Sequence, residues 1–107
     1  MTPATRREKI EALLADDPHD TFLRYSLALE LVKEGSPDRG LPLLDALMRD
    51  APPYVPAFFQ SGQILAGLGQ TDAARTSLRA GIEAARAAGD AHAAGEMAEF
   101  LASLGKQ

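Results

Sequence analysis

The stretch Ala57-Phe58-Phe59-Gln60-Ser61-Gly62-Gln63-Ile64-Leu65-Ala66-Gly67-Leu68-Gly69-Gln70-Thr71-Asp72-Ala73-Ala74-Arg75-Thr76-Ser77-Leu78 decides how the rest of the chain is read. It reads as a helix ending at Gly69, a turn through Gln70 and Thr71, and a second helix opening at Asp72. The residues at which the two helices would touch are small: Gly62 on the first, Ala73 and Ala74 on the second. A hairpin with so close an approach cannot bury both faces of each helix by itself. It needs a similar hairpin stacked on either side.

The chain is long enough to carry those neighbours and little more. Its 107 residues fit one domain, which at this size buries roughly 65% of its unfolded surface. A net charge of -4 disfavours nucleic acid and anionic membrane as partners. The absence of cysteine excludes disulfides and thiolate metal sites. Arg6, Arg7 and Lys9 look like the front of an export signal, but the apolar run behind them is broken by Glu11 and stops at Asp16. No apolar stretch approaches the ~20 residues that span a bilayer. The expectation is a soluble cytoplasmic protein that does not enter a membrane.

Upstream of the hairpin, Ile10, Leu13 and Leu14 recur at helical spacing over 5–15. Pro18 closes this first helix, because the residue before a proline is steered away from helical geometry. Asp20 caps a second helix over 21–34, and Gly35 ends it. This helix is apolar on two sides: Leu23, Leu27, Ala28 and Leu31 on one, Phe22, Tyr25, Leu29 and Val32 on the other. Such a helix either has neighbours on both sides or offers one to a partner. Ser36-Pro37-Asp38 is a strong helix start. Pro42 conflicts with it, since an interior proline costs ~3 kcal/mol, and the regular third helix is expected to begin near Gly40 with Pro42 in its opening turn. It would run to about Asp50. Downstream, Pro56 opens the fourth helix, the fifth ends at Gly89, and a sixth runs from Asp90 to Leu104 with Gly105 as its cap. Six helices with short loops give an all-α chain.

Alternate helices end at Gly35, Gly69 and Gly105, the first two 34 residues apart and the last two 36. A fixed period of this size marks repeat architectures. Successive units align as Arg24, Leu27, Ala28 and Leu31; Phe58, Ser61, Gly62 and Leu65; Ala94, Met97, Ala98 and Leu101. The second helices align as Gly40 with Leu44 and Ala74 with Leu78, and Pro52 closes the first unit. With these residues the chain resembles the tetratricopeptide repeat family along essentially its whole length. It departs from the pattern at Arg24, Gly40 and Ala94, and at Arg86, where a closing proline belongs. The resemblance implies a right-handed superhelix of antiparallel helix pairs in a single domain, 1–107. Its parts would be a leading half-repeat over 4–18, repeats over about 21–54 and 55–90, and a capping helix over 91–105. Ser61 at a core position is tolerable if its hydroxyl bonds back to a carbonyl one turn earlier.

The resemblance also implies a function: a non-catalytic scaffold whose first helices line a concave groove that receives a protein segment. Carried over by position, the groove residues are Phe22, Tyr25, Leu29, Val32 and Lys33; then Phe59, Gln60, Gln63 and Ala66; then His92, Glu96 and Glu99. Family members that hold the carboxyl-terminal tails of chaperones use basic and amide groups. Here Tyr25, Leu29, Gln60, His92 and Glu96 stand at those places, and Glu96 would repel a carboxylate, so chaperone tails are not expected. A segment with apolar anchors and a lysine or arginine near Glu96 and Glu99 fits better. The plainer reading of the aromatic cluster is packing on the leading helix or on a second copy, which would make the chain a homodimer through its aromatic face or terminal helix.

His92, Glu96 and Glu99 share a helix face at spacings of four and three. A solvated face explains them better than a metal site, and turn and cap roles explain Asp16, Asp17, His19 and Asp20. No nucleophile motif or phosphate-binding glycine loop is present, so neither a catalytic residue nor a cofactor is expected. Arg75, Arg79 and Arg86 read as a solvated face.

Overall fold

The computed structural model describes residues 2–105. It contains α1 (Arg6–Asp16), α2 (Thr21–Lys33), α3 (Pro37–Met48), α4 (Val55–Gly67), α5 (Thr71–Ala87) and α6 (Ala91–Leu104). Among the described residues there is no strand. No described helix is long and apolar enough to cross a membrane. The chain packs as two compact units, Met1–Leu47 and Met48–Gln107.

Three helices close in the same way. The Gly35, Gly69 and Gly89 amides donate to Val32, Ala66 and Arg86 carbonyls, and the next amides, Ser36, Gln70 and Asp90, reach back to Leu31, Leu65 and Ala85. This paired closure requires a left-handed residue, and the three glycines have φ of +90°, +79° and +74°. Gly35 and Gly69 therefore end their helices as expected. Gly105 sits at the end of α6 with φ -73°, an ordinary helical value, so the 36-residue interval does not join equivalent turns.

In the first unit, α1 starts on a reciprocal cap. Glu8 N donates to Thr5 Oγ1 at 3.1 Å and Thr5 N donates to Glu8 Oε1 at 2.9 Å, satisfying two otherwise orphan amides. At α2, Asp20 Oδ1 accepts from Leu23 N at 2.8 Å. Charge links α1 to α2: Arg6 pairs with Glu30 at 3.3 Å and Arg7 with Glu34 at 2.9 Å. Arg7 also pairs with Glu11 at 3.0 Å, and its hydrogen bond to Glu34 raises its pKa above the ordinary arginine value.

The start of α3 corrects the sequence reading. The helix opens at Pro37, not near Gly40, and Pro42 lies inside it. The Arg39 and Gly40 amides already donate to Ser36 O at 3.0 and 3.1 Å, so the first turn is complete before Pro42. Gly40 fixes that turn against α2, since a Cβ on it would lie 2.6 Å from both Ala28 O and Val32 Cγ2. Burial of Gly40, Leu44 and Leu47 on this face offsets the hydrogen bond that exposed Pro42 cannot make.

In the second unit, α5 is the central helix and packs on both α4 and α6. Leu78 and Met97 are fully buried, among Phe58, Ala74, Ile82, Ala85, Ala94 and Leu104. Burying a side chain of this size is worth about 1.5–3 kcal/mol. Contact along the helices is antiparallel. Gly62 faces Leu78, Gly81 faces both Phe58 and Met97, and Arg75 Nη2 at the start of α5 donates to Leu104 O at the end of α6, at 3.2 Å. Arg75 is thus partly a cap for α6, while Arg79 and Arg86 are exposed. The partner of Gly62 is the Leu78 side chain; Ala74 is buried but Ala73 is exposed, because one residue along a helix turns ~100° away. Buried Ser61 has a polar partner on the next helix: its Oγ accepts from Ser77 Oγ on α5 at 3.2 Å.

Candidate functional site

Within the second unit, α4 and α6 also touch directly, and their contact is aromatic. Phe59 on α4 and Phe100 on α6 meet edge to face, with ring centroids 6.0 Å apart and planes at 63°. This is a favoured arrangement for aromatic quadrupoles. Helical spacing puts Glu96, Phe100 and Ser103 on one side of α6, with Glu99 beside them. Together with Phe59 they line a hollow of about 320 Å³ that is open to solvent.

A second open hollow, about 340 Å³, continues along α6 and is lined by Ala91, His92, Gly95, Glu96 and Glu99. The two share both glutamates. His92 Nε2 lies 3.2 Å from Glu96 Oε1, with the histidine side chain 88% and the glutamate 49% exposed. Glu99 is exposed and makes no ion pair with a described Lys or Arg. Ser103 Oγ donates to Phe100 O at 2.6 Å, which turns the hydroxyl onto its own helix. The face is therefore an aromatic floor with an acidic border, and no described Lys or Arg lines either hollow. No group of three or more described His, Asp or Glu side chains could hold a metal ion.

Four of the expected groove residues, Phe59, His92, Glu96 and Glu99, come together here. Gln60 is half-buried, Gln63 exposed, and neither lines the two hollows; Ala66 packs on the core. In the first unit Phe22 is 67% exposed, Tyr25 and Leu29 are half-buried and Lys33 is exposed. Val32 is half-buried, and its Cγ2 lies beside Gly40 on α3. The glycine opens a seat there that the side chain fills. Phe100 and Ser103 were missed by the sequence reading. The signal was present, since Phe100 follows Glu96 by four residues and Ser103 follows Glu99 by four, one more turn of the same face.

No protein-family model and no curated protein matches the chain. Two solved structures are similar to it. One is a protein from Bordetella parapertussis, 30% identical with a TM-score of 0.82, covering 97% of this chain and 90% of that one. The other is a tetratricopeptide repeat domain protein from Salinibacter ruber, 32% identical with a TM-score of 0.76, covering 81% of this chain and 88% of that one.

Proposed function

Because the chain belongs to the tetratricopeptide repeat family, we propose that it is a non-catalytic interaction module and that the α4–α6 face of its second unit holds a segment of another protein. The observation that carries this reading is the hollow in which Phe59 and Phe100 form a floor beside Glu96 and Glu99. Aromatic side chains dominate binding hot spots. Here they stand on helices already ordered by the Leu78–Met97 core, so a partner meets a preformed surface and little ordering cost falls on binding.

A displayed library of random dodecapeptides, panned on the intact protein, tests the reading. Selected peptides should shift the backbone amide resonances of Phe59, Glu99, Phe100 and Ser103, and Phe59→Leu should weaken them without lowering helicity. Binders whose shifts fall elsewhere on the molecule remove the assignment. A second copy of the chain is the competing occupant. Light scattering over a concentration series reads it directly, and a dimer whose formation bleaches these same resonances would replace the peptide.

A further inference from the structure

The hollow between α4 and α6 combines two features that point to one chemical group. Two phenylalanine side chains and two glutamates line it, and no described Lys or Arg does. Both features attract a cation: a ring face within ~6 Å of a positive group gains by its quadrupole, and a carboxylate gains by charge-assisted hydrogen bonding. In an edge-to-face pair, the ring that offers its edge keeps its own faces outside that contact.

Resting on the reading of this face as a protein-binding surface, we propose that the hollow lined by Phe59, Phe100, Glu96 and Glu99 takes one arginine side chain of the bound segment. Its shape suits one side chain of a bound segment: the hollow, about 320 Å³, is open to solvent and does not enclose what it holds, as a site for a free small molecule does. Chemistry selects arginine over lysine. A guanidinium is planar and weakly hydrated, so it stacks on a ring. Its five N–H groups, held in a fixed fork, reach two carboxylates at once. Glu96 and Glu99 are three residues apart on α6, which sets their Cβ atoms about 5–6 Å apart, a spacing one guanidinium can bridge. An ammonium holds its water more strongly and offers no flat face. His92, at 3.2 Å from Glu96, leaves Glu99 as the carboxylate free for the guanidinium fork, with Glu96 contributing its second oxygen.

The experiment uses the peptides selected on the intact protein. They should be enriched in arginine. In each, Arg→Ala should weaken binding about 10-fold or more and Arg→Lys by about 3-fold, values typical of an anchor residue. Glu96→Gln/Glu99→Gln should cost a similar factor, and combining it with the Arg→Ala peptide should add little further loss. These exposed glutamates are not core residues, and a melting temperature matching the parent's verifies that the double variant is folded. Peptides that bind this face and respond to Phe59→Leu, yet contain no arginine or tolerate its replacement by alanine, overturn the arginine anchor while leaving the interaction surface standing. A library that yields no binder to this face overturns both.

Discussion

The two repeats make the same close approach with glycine on opposite helices. In the first, Ala28 on α2 meets Gly40 on α3; in the second, Gly62 on α4 meets the helix of Ala74 and Leu78. Ala28 and Gly62 are 34 residues apart, as are Gly40 and Ala74, so these are equivalent positions filled with the small residues exchanged. The exchange changes what limits the contact. A Cβ on Gly40 would lie 2.6 Å from a backbone carbonyl, Ala28 O, as well as from Val32 Cγ2, whereas the atoms nearest to a Cβ on Gly62 belong to the Leu78 side chain, with Cγ and Cδ2 both at 2.7 Å. A side chain can change rotamer; a carbonyl moves only if its helix moves. The same consensus therefore tolerates change differently in its two copies.

The largest effect expected is at Leu78, the fully buried side chain on which the second contact depends. Leu78→Ala should lose about 2–5 kcal/mol in urea denaturation, with α4 and α6 amides losing exchange protection together. A loss under ~1 kcal/mol would show that the α5 core can collapse around the gap.

Next are the glycines themselves. Gly40→Ala should destabilise by about 1–3 kcal/mol through overpacking, even after the ~1 kcal/mol that alanine gains over glycine in a helix. Adding Val32→Ala should restore little, because Ala28 O remains. Gly62→Ala behaves differently: combined with Leu78→Ala, the loss should fall short of the two single losses added together by about 1 kcal/mol. Equal rescue in both repeats would erase the distinction between a backbone-limited and a side-chain-limited seat.

That distinction was invisible in the sequence, although much of the fold was legible. The 34-residue interval located Gly35 and Gly69, because a left-handed turn demands glycine and so leaves a mark at a fixed position. Asp20 was readable as a cap for a similar reason, and the last helix was placed from Asp90, whose Oδ1 accepts from Ala93 N at 3.0 Å. Periodicity fixes an angle around a helix but not what stands at that angle. The methyl that Val32 packs beside Gly40 was therefore not foreseen, and Ala73 was assigned to a contact that Leu78 makes. Pro42 misled because its local cost is certain while the burial of Gly40, Leu44 and Leu47 that offsets it is tertiary. Of the α4–α6 face, both glutamates, His92 and Phe59 were found. Phe100 was overlooked because the carry-over by position stopped at Glu99, and it is half-buried.

A smaller effect separates helical glycines that have a neighbour from those that do not. Gly95, inside α6, would place a Cβ in open space, in contrast to Gly40 and Gly62. Gly95→Ala should stabilise the protein by about 0.5–1 kcal/mol, read as a higher denaturation midpoint. A loss instead would mean that the glycine is needed for a close approach on the α6 face.

The smallest effect is confined to the first turn of α1 and depends on pH. The Thr5 backbone amide, and then its hydroxyl contact, lower the Glu8 pKa below its ordinary 4.5. A carboxylate depressed by folding binds fewer protons in the native state than in the unfolded one. Its contribution is therefore present above pH 4.5 and fades as pH falls through the lower native value. Glu8 is fully exposed, so the readout is local: Cα chemical shifts and amide protection over the first turn of α1. In the parent protein, helicity there should hold from neutral pH down to about 4.5 and then decline. Glu8→Gln can still accept from the Thr5 amide but carries no charge to titrate, so its first turn should be less helical at pH 7 and flat across the same range. The second unit supplies the control within the same samples. No described ion pair links α5 to α6; what joins them is apolar burial and the Arg75 contact to Leu104 O. Its amides should hold steady over the window in which the first turn of α1 frays, and simultaneous loss in both would place the acid sensitivity elsewhere than the Thr5–Glu8 cap.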